Sequence, residues 1–97
     1  MPETTAVLIH GATGSVGLFA VQLAHRYGAH VIATTSGRTT EFVRRLGADE
    51  VIDYTTSRFE GHVEGVEIVF DAVGGDTLDR SKAVLKPGGR SFDVEWI

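Results

Sequence analysis

Cysteine is absent from the chain, which excludes disulfides, thiolate nucleophiles and thiolate-ligated zinc. No apolar run approaches the ~20 residues of a membrane span, so no membrane partner is expected. Met1 leads into Pro2-Glu3-Thr4-Thr5 with no basic n-region, which speaks against a secretory leader. These absences together predict a soluble cytoplasmic protein. Positive charge is also short: nine Lys+Arg stand against thirteen Asp+Glu, for a net charge of −4. The basic residues are scattered, whereas a general nucleic-acid binder needs a clustered positive face. No internal repeat, low-complexity tract or linker divides the chain. What remains is a globular mixture of 42% hydrophobic and 23% charged residues over 97 positions. That is enough for one modest core, and residues 1–97 are expected to form about one domain.

Apolar runs and helical spacing alternate along the chain. Ala6-Val7-Leu8-Ile9-His10 is a short run that stops at glycine, as a strand buried on both faces should. Val16, Ala20, Leu23, Ala24 and Tyr27 then fall on one face of a helix from Ser15 to Tyr27, and Gly28 sits at its C′ position. His30 to Thr34 is a second strand. Thr39 or Thr40 can cap a second helix, with Phe42, Val43 and Leu46 inward and Gly47 at its end. Glu50 to Asp53 makes a third strand, and Tyr54 to Gly65 a loop with one helical turn. Glu67 to Ala72 is a fourth strand. Leu78, Lys82 and Leu85 space a third helix, Lys86 to Gly89 a turn, and Arg90 to Ile97 an edge strand buried on one side. Strands alternating with helices through short connections predict an α/β fold: a Rossmann-type, doubly wound parallel sheet of about five strands.

The first strand-to-helix turn carries the chemistry. Gly11, Gly14 and Gly17 lie three apart between strand and helix. A dinucleotide site needs a sharp turn, close backbone approach to a diphosphate, and tight packing of the new helix. Gly14 suits the approach and Gly17 the packing. Free N–H groups near Ser15 and Val16 would meet the phosphates, aided by the helix dipole. A nicotinamide site of the NAD type offers an acid to the ribose about twenty residues later. Here the stretch reads Thr34-Thr35-Ser36-Gly37-Arg38, without one. A hydroxyl at Ser36 and a guanidinium at Arg38 are what a 2′-phosphate wants, so NADP(H) is the expected cofactor.

Four segments, taken in order, resemble one family. They are Val7 to Gly17, Leu46-Gly47-Ala48-Asp49-Glu50-Val51-Ile52-Asp53-Tyr54, Phe70-Asp71-Ala72-Val73-Gly74-Gly75 and Leu85-Lys86-Pro87-Gly88-Gly89-Arg90. They look like the cofactor domain of medium-chain dehydrogenases/reductases, in the zinc-independent quinone oxidoreductase branch. The resemblance implies NADPH-dependent reduction of quinones or activated enones by the parent enzyme. It places Ser36, Arg38 and Tyr54 around the adenosine 2′-phosphate. It assigns the pyrophosphate to Ala12, Thr13, Gly14, Ser15 and Val16, and the nicotinamide side to Val73 and Gly74. The family's N-terminal substrate domain and sixth strand have no counterpart here, so a truncated, non-catalytic cofactor fragment is expected.

No residue is assigned a catalytic role and none a metal. His10, His25, His30 and His62 are dispersed, Asp71 is expected to hold a neighbouring loop, and Asp49 and Asp53 to be turn and strand-end residues. Tyr54 lacks the lysine four residues on that a short-chain reductase would place there. Two other functions compete. The glycine turn also suits an NADP-binding sensor or an extended short-chain reductase relative, and a structural fragment could keep the turn and bind nothing. Ending in a fifth strand without a sixth, the chain is expected to self-associate through residues 90–97.

Overall fold

The computed structural model describes residues 5–12, 15–71, 73 and 76–93. Along the chain run β1 (Ala6–His10), α1 (Ser15–Arg26), β2 (His30–Thr35), α2 (Thr40–Leu46) and β3 (Glu50–Asp53). Then follow β4 (Val66–Asp71), α3 (Asp76–Ser81) and β5 (Leu85–Asp93), with one-turn 3-10 helices at Gly37–Thr39 and Phe59–Gly61. The strands form one sheet in the order β3-β2-β1-β4-β5, and every pairing is parallel. The chain winds outward from β1 to β3, then returns to start again beside β1 with β4. With right-handed crossovers, that reversal puts α1 and α2 on one face and later connections on the other. This is the Rossmann-type doubly wound sheet that the alternation of elements predicts.

Period two along the strands sorts the core into two layers. Val7, Ile9, Val31 and Ala33 face α1 and α2 and pack with Val21, Ala24 and Val43. Leu8, Ile32, Ile52 and Val69 face the other way and pack with Phe59, Val63 and Val84. Leu8, Ile9 and Val31 are wholly buried, each stabilising the fold by roughly 1.5–3 kcal/mol over an exposed side chain.

Several local expectations are corrected. The stripe read for α1 is rotated: Gly17, Val21 and Ala24 are buried, while Val16, Leu23 and Tyr27 are largely exposed. The small residues face the sheet because the helix sits too close to it for the large ones. A Cβ at Gly17 would lie 2.2 Å from the Gly11 carbonyl oxygen and 2.9 Å from Ala12 Cα. In α2 the buried residue is Val43, and Phe42 points out. Thr39 stands at the N-cap, but its hydroxyl donates backward to the Ser36 carbonyl at 3.0 Å and makes no cap bond.

The last third departs most. The third helix stops at Ser81, Lys82 lies in the turn beyond it, and Leu85 already opens β5. Lys86 to Gly89, expected as a turn, lies inside β5. The ladder absorbs it by a register shift: Val66 pairs with Leu85, but Ile68 pairs with Arg90. Proline has no N–H to give the ladder, and glycine tolerates the bend that an irregular pairing needs. β5 forms an edge of the described sheet, as expected. Residues 94–97, expected to continue it with Val94 and Trp96, lie outside the described residues.

Candidate functional site

Parallel pairing brings the C-terminal ends of four strands to one edge. His10 stands opposite Thr34 on β2 and Asp71 on β4, and Thr35 stands opposite Asp53 on β3. The chain leaves each of these ends as a loop, and in an open parallel sheet the crevice at that edge, where strand order reverses, is where ligands bind. The glycine turn after β1 is tied to its neighbour by Ala12 N–H, which donates to the Thr34 carbonyl at 3.2 Å. Gly17 fills the packing role expected of it, since α1 rests directly on Gly11 and Ala12.

The expected cofactor residues distribute along this edge. Ala12 is buried in the turn, Ser15 opens α1, and Val16 is exposed in its first turn. Thr13, Gly14 and Gly74 lie outside the described residues. Ser36 and Arg38 follow β2 directly, Ser36 half-buried before the 3-10 turn and Arg38 exposed within it. Tyr54 N–H donates to the Thr35 carbonyl at 3.1 Å, which sets Tyr54 beside Ser36 with its own side chain exposed. Val73 is exposed after β4.

Asp53 is the acid that lies against Gly37 of the Ser36 loop, and its carboxylate is already engaged. Oδ1 accepts the Thr55 N–H at 2.9 Å and the Thr55 hydroxyl at 2.5 Å, and the Gly37 backbone lies against Oδ2. The Thr55 hydroxyl and N–H hold this carboxyl below its usual range, against some desolvation. Asp53 therefore braces the loops after β2 and β3 as a strand-end residue. Asp71 likewise holds a loop: its Oδ1 accepts the Val73 N–H at 2.7 Å.

Between the loops after β3 and β4 and helix α3 lies a pocket of about 360 Å³ whose lining includes His10, Thr34, Tyr54, Arg58, Val73 and Arg80, and to which Ser36 and Arg38 do not contribute. Only Tyr54 and Val73 of these were expected as site residues. His10 is its buried floor. Ser81 Oγ donates to the Thr77 carbonyl at 2.6 Å, so toward His10 Nε2, at 2.8 Å, it can only accept. The proton therefore sits on Nε2, and Nδ1 accepts from the Thr34 hydroxyl at 2.9 Å. Burial pushes this imidazole down to about 4, against the opposing pull of Asp71. A neutral histidine thus links β1, β2 and α3 beneath the pocket.

The far wall is a stacked and charged group. The Phe59 ring lies 4.5 Å from that of His10, and the Arg80 guanidinium sits 4.8 Å from the Phe59 centroid. Arg80 grips Glu60 through two hydrogen bonds of 2.6 Å, which hold that carboxyl down at about 2. Arg58 adds one bond to Glu60 at 3.1 Å. No periodicity announces this group. Its only trace in the sequence is a basic–aromatic–acidic triplet, Arg58-Phe59-Glu60, inside an otherwise polar stretch.

A parallel sheet wound both ways from β1, with a glycine turn packed beneath a helix at the reversal point, defines a dinucleotide-binding type of domain. The family model for zinc-binding dehydrogenases matches residues 15–94. The chain belongs to that family, within the medium-chain dehydrogenases/reductases. It is 42% identical over 84 residues to the mitochondrial NAD(P)H oxidoreductase RTN4IP1 of Danio rerio, covering 84% of this chain and 22% of the relative. It is 42% identical over 87 residues to the chloroplastic NADPH-dependent alkenal/one oxidoreductase of Arabidopsis thaliana, covering 88% and 22%. The quinone oxidoreductase structure from Coxiella burnetii superposes with a TM-score of 0.87 at 40% identity, covering 90% of this chain and 28% of that one. The chain thus spans about a fifth of the length of these curated relatives, 22% in each case.

Proposed function

We propose that residues 1–97 form the NADP(H)-binding part of an oxidoreductase that reduces quinones or activated enones, in a zinc-independent branch of the family. One observation carries the reading. The loop after β2 presents Ser36 and the exposed Arg38 at the crevice edge, and the carboxylate that lies against it, Asp53, is held by Thr55 and Gly37. An NAD-type ribose contact needs a free acid there, whereas a 2′-phosphate needs a hydroxyl and a guanidinium. The names of the relatives, an NADPH-dependent alkenal/one oxidoreductase and a quinone oxidoreductase, support the same cofactor and substrate class.

The residues present fit such a cofactor. The turn from Ala12 through Thr13, Gly14, Ser15 and Val16 would hold the pyrophosphate on backbone N–H groups at the start of α1. Ser36, Arg38 and Tyr54 would surround the 2′-phosphate, and Val73 with Gly74 would line the nicotinamide side. NADPH supplies the hydride when bound. This chain's part is to orient the cofactor along the strand ends, and the other wall of the substrate pocket belongs to the parent enzyme. Hydride transfer requires both reactants in near-attack geometry, so these residues alone turn over no quinone or enone.

Titration of the chain with NADPH and with NADH tests the proposal. NADPH is expected to bind more tightly by on the order of 1.5–3 kcal/mol, the worth of a charge-assisted bidentate contact. Arg38→Ala should erase that margin and leave NADH binding as it was. Equal affinity of the unaltered chain for both cofactors would overturn the reading.

A further inference from the structure

The geometry points to Arg58 as a second cationic contact for the 2′-phosphate, a specificity-determining residue on the loop after β3 that works with Arg38 on the loop after β2. The inference rests on the NADP(H) reading above and deepens it.

Two loops meet because their strands do. Thr35 stands opposite Asp53 in the β2–β3 ladder, so the chain leaves both strands side by side, and the bond from Tyr54 N–H to the Thr35 carbonyl keeps the pair together for one residue more. Beyond that point the second loop folds back. Thr56 N–H and Ser57 N–H both donate to the Asp53 carbonyl, at 3.2 and 3.0 Å. The turn returns Arg58 to the same pocket that Tyr54 lines. Phe59, next in the chain and only 4% exposed, anchors the backbone there.

The state of the guanidinium fits it for an incoming anion. Arg58 has an exposed side chain, 77% accessible, and one hydrogen bond, from Nη2 to Glu60. Glu60 is committed first to Arg80 through two shorter bonds, so it steadies Arg58 without saturating it. Nε and Nη1 of Arg58 remain for an acceptor, and an arginine fork suits a phosphate's paired oxygens. Holding one Nη in advance reduces the side-chain entropy lost on binding.

The experiment uses 2′,5′-ADP and 5′-AMP, which differ by the 2′-phosphate, titrated calorimetrically into the full 97-residue chain and its variants. Arg58→Gln is expected to weaken 2′,5′-ADP about tenfold while leaving 5′-AMP unchanged, and to flatten the salt dependence of 2′,5′-ADP binding. Arg58→Lys should recover part of the loss. Because the side chain is exposed, the melting temperature should stay within a degree or two, which separates lost contact from lost fold. If Arg58→Gln leaves 2′,5′-ADP binding intact while Arg38→Ala abolishes it, Arg58 is only an ion-pair partner of Glu60 and the inference falls alone. Equal weakening of both ligands would also overturn it. If the unaltered chain binds the two ligands equally, the NADP(H) reading falls and takes this inference with it.

Discussion

The two halves of the sheet are built to different standards of regularity. In the half formed by β1, β2 and β3, pairing runs without a break, from Ala6 opposite His30 to His10 opposite Thr34. Helices α1 and α2 close one face over it, and small residues at Gly17 and Ala24 bring α1 into contact. In the half formed by β4 and β5 the ladder slips between Val66 and Ile68. Phe70 and Phe92 stand opposite each other there, and Phe92 is half exposed. The contrast separates two demands on the chain. Under the proposed function the crevice would need strand ends fixed to fractions of an ångström, and the unbroken pairing lies in the half that would provide them. In the irregular half the slip lies between β4 and β5, one strand removed from β1 and its glycine turn.

The largest effect should come from closing the approach of α1. Gly17→Val puts a side chain where a single Cβ already meets backbone at 2.2 Å, with nothing flexible to move aside. Helix α1 must lift from Gly11 and Ala12, and the loss should exceed about 4 kcal/mol, the range reserved for severe overpacking or strain. Chemical denaturation and dinucleotide titration should both report it. Retention of stability and binding would mean that the regular half is not held by this contact.

Next come paired truncations across the halves. Leu8→Ala empties a fully buried site on β1 and should cost about 3–5 kcal/mol. Phe92→Ala, on the half-exposed β5 position, should cost well under that, about 1 kcal/mol. It should also reduce the self-association proposed for β5 as an edge of the described sheet, measured by sedimentation at several concentrations. Similar losses from both substitutions would erase the distinction between the halves.

How far the sequence could be read follows the same division. Both halves alternate strand and helix, so the fold class was legible throughout. Within the regular half β1 and β3 keep the expected bounds, β2 runs one residue further to Thr35, and the Ser36–Arg38 loop follows it directly. What misled was size: Val16, Leu23 and Tyr27 make a convincing apolar stripe, yet close packing selected the small residues beside them. In the irregular half Pro87-Gly88-Gly89 carries a turn signature, and only the neighbouring strand reveals that it is a deformation inside a strand. The His10–Phe59–Arg80–Glu60 group was illegible for another reason. Its members come from β1, the loop after β3 and α3, so no local spacing could join them.

Acid sharpens the comparison through His10, which ties the regular half to α3. Its folded-state pKa is about 4 against an ordinary 6.5, so between those values the unfolded chain binds the extra proton and the folded one does not. Stability is then complete above about pH 6.5 and declines as pH falls toward 4, by at most roughly 3 kcal/mol for a group this buried. Glu60 acts in a lower window: its carboxylate contribution is present above pH 4.5 and lost as pH falls toward about 2. Denaturation midpoints across pH 7 to 4 should slope for the natural chain and run flatter for His10→Asn. A parallel slope in the variant would assign the pH dependence to other groups.

The smallest expected effect lies in the irregular half itself. Gly88 has φ +84° with nothing within 4 Å of the site where a Cβ would stand, so an alanine there meets no neighbour and pays only for its backbone. That conformation costs an L-residue about 1–2 kcal/mol. Gly61 is the matched control: it too faces open space, but its φ is not in the left-handed region. Gly61→Ala should be neutral or stabilise by up to about 1 kcal/mol, through a less flexible unfolded chain. The two alanines add the same atoms to the same emptiness, so their difference in denaturation midpoint isolates the strain stored at the slip in β5. If both variants shift the midpoint equally, that slip is relaxed and the positive φ at Gly88 is not what lets the Pro-Gly-Gly segment stay in the sheet.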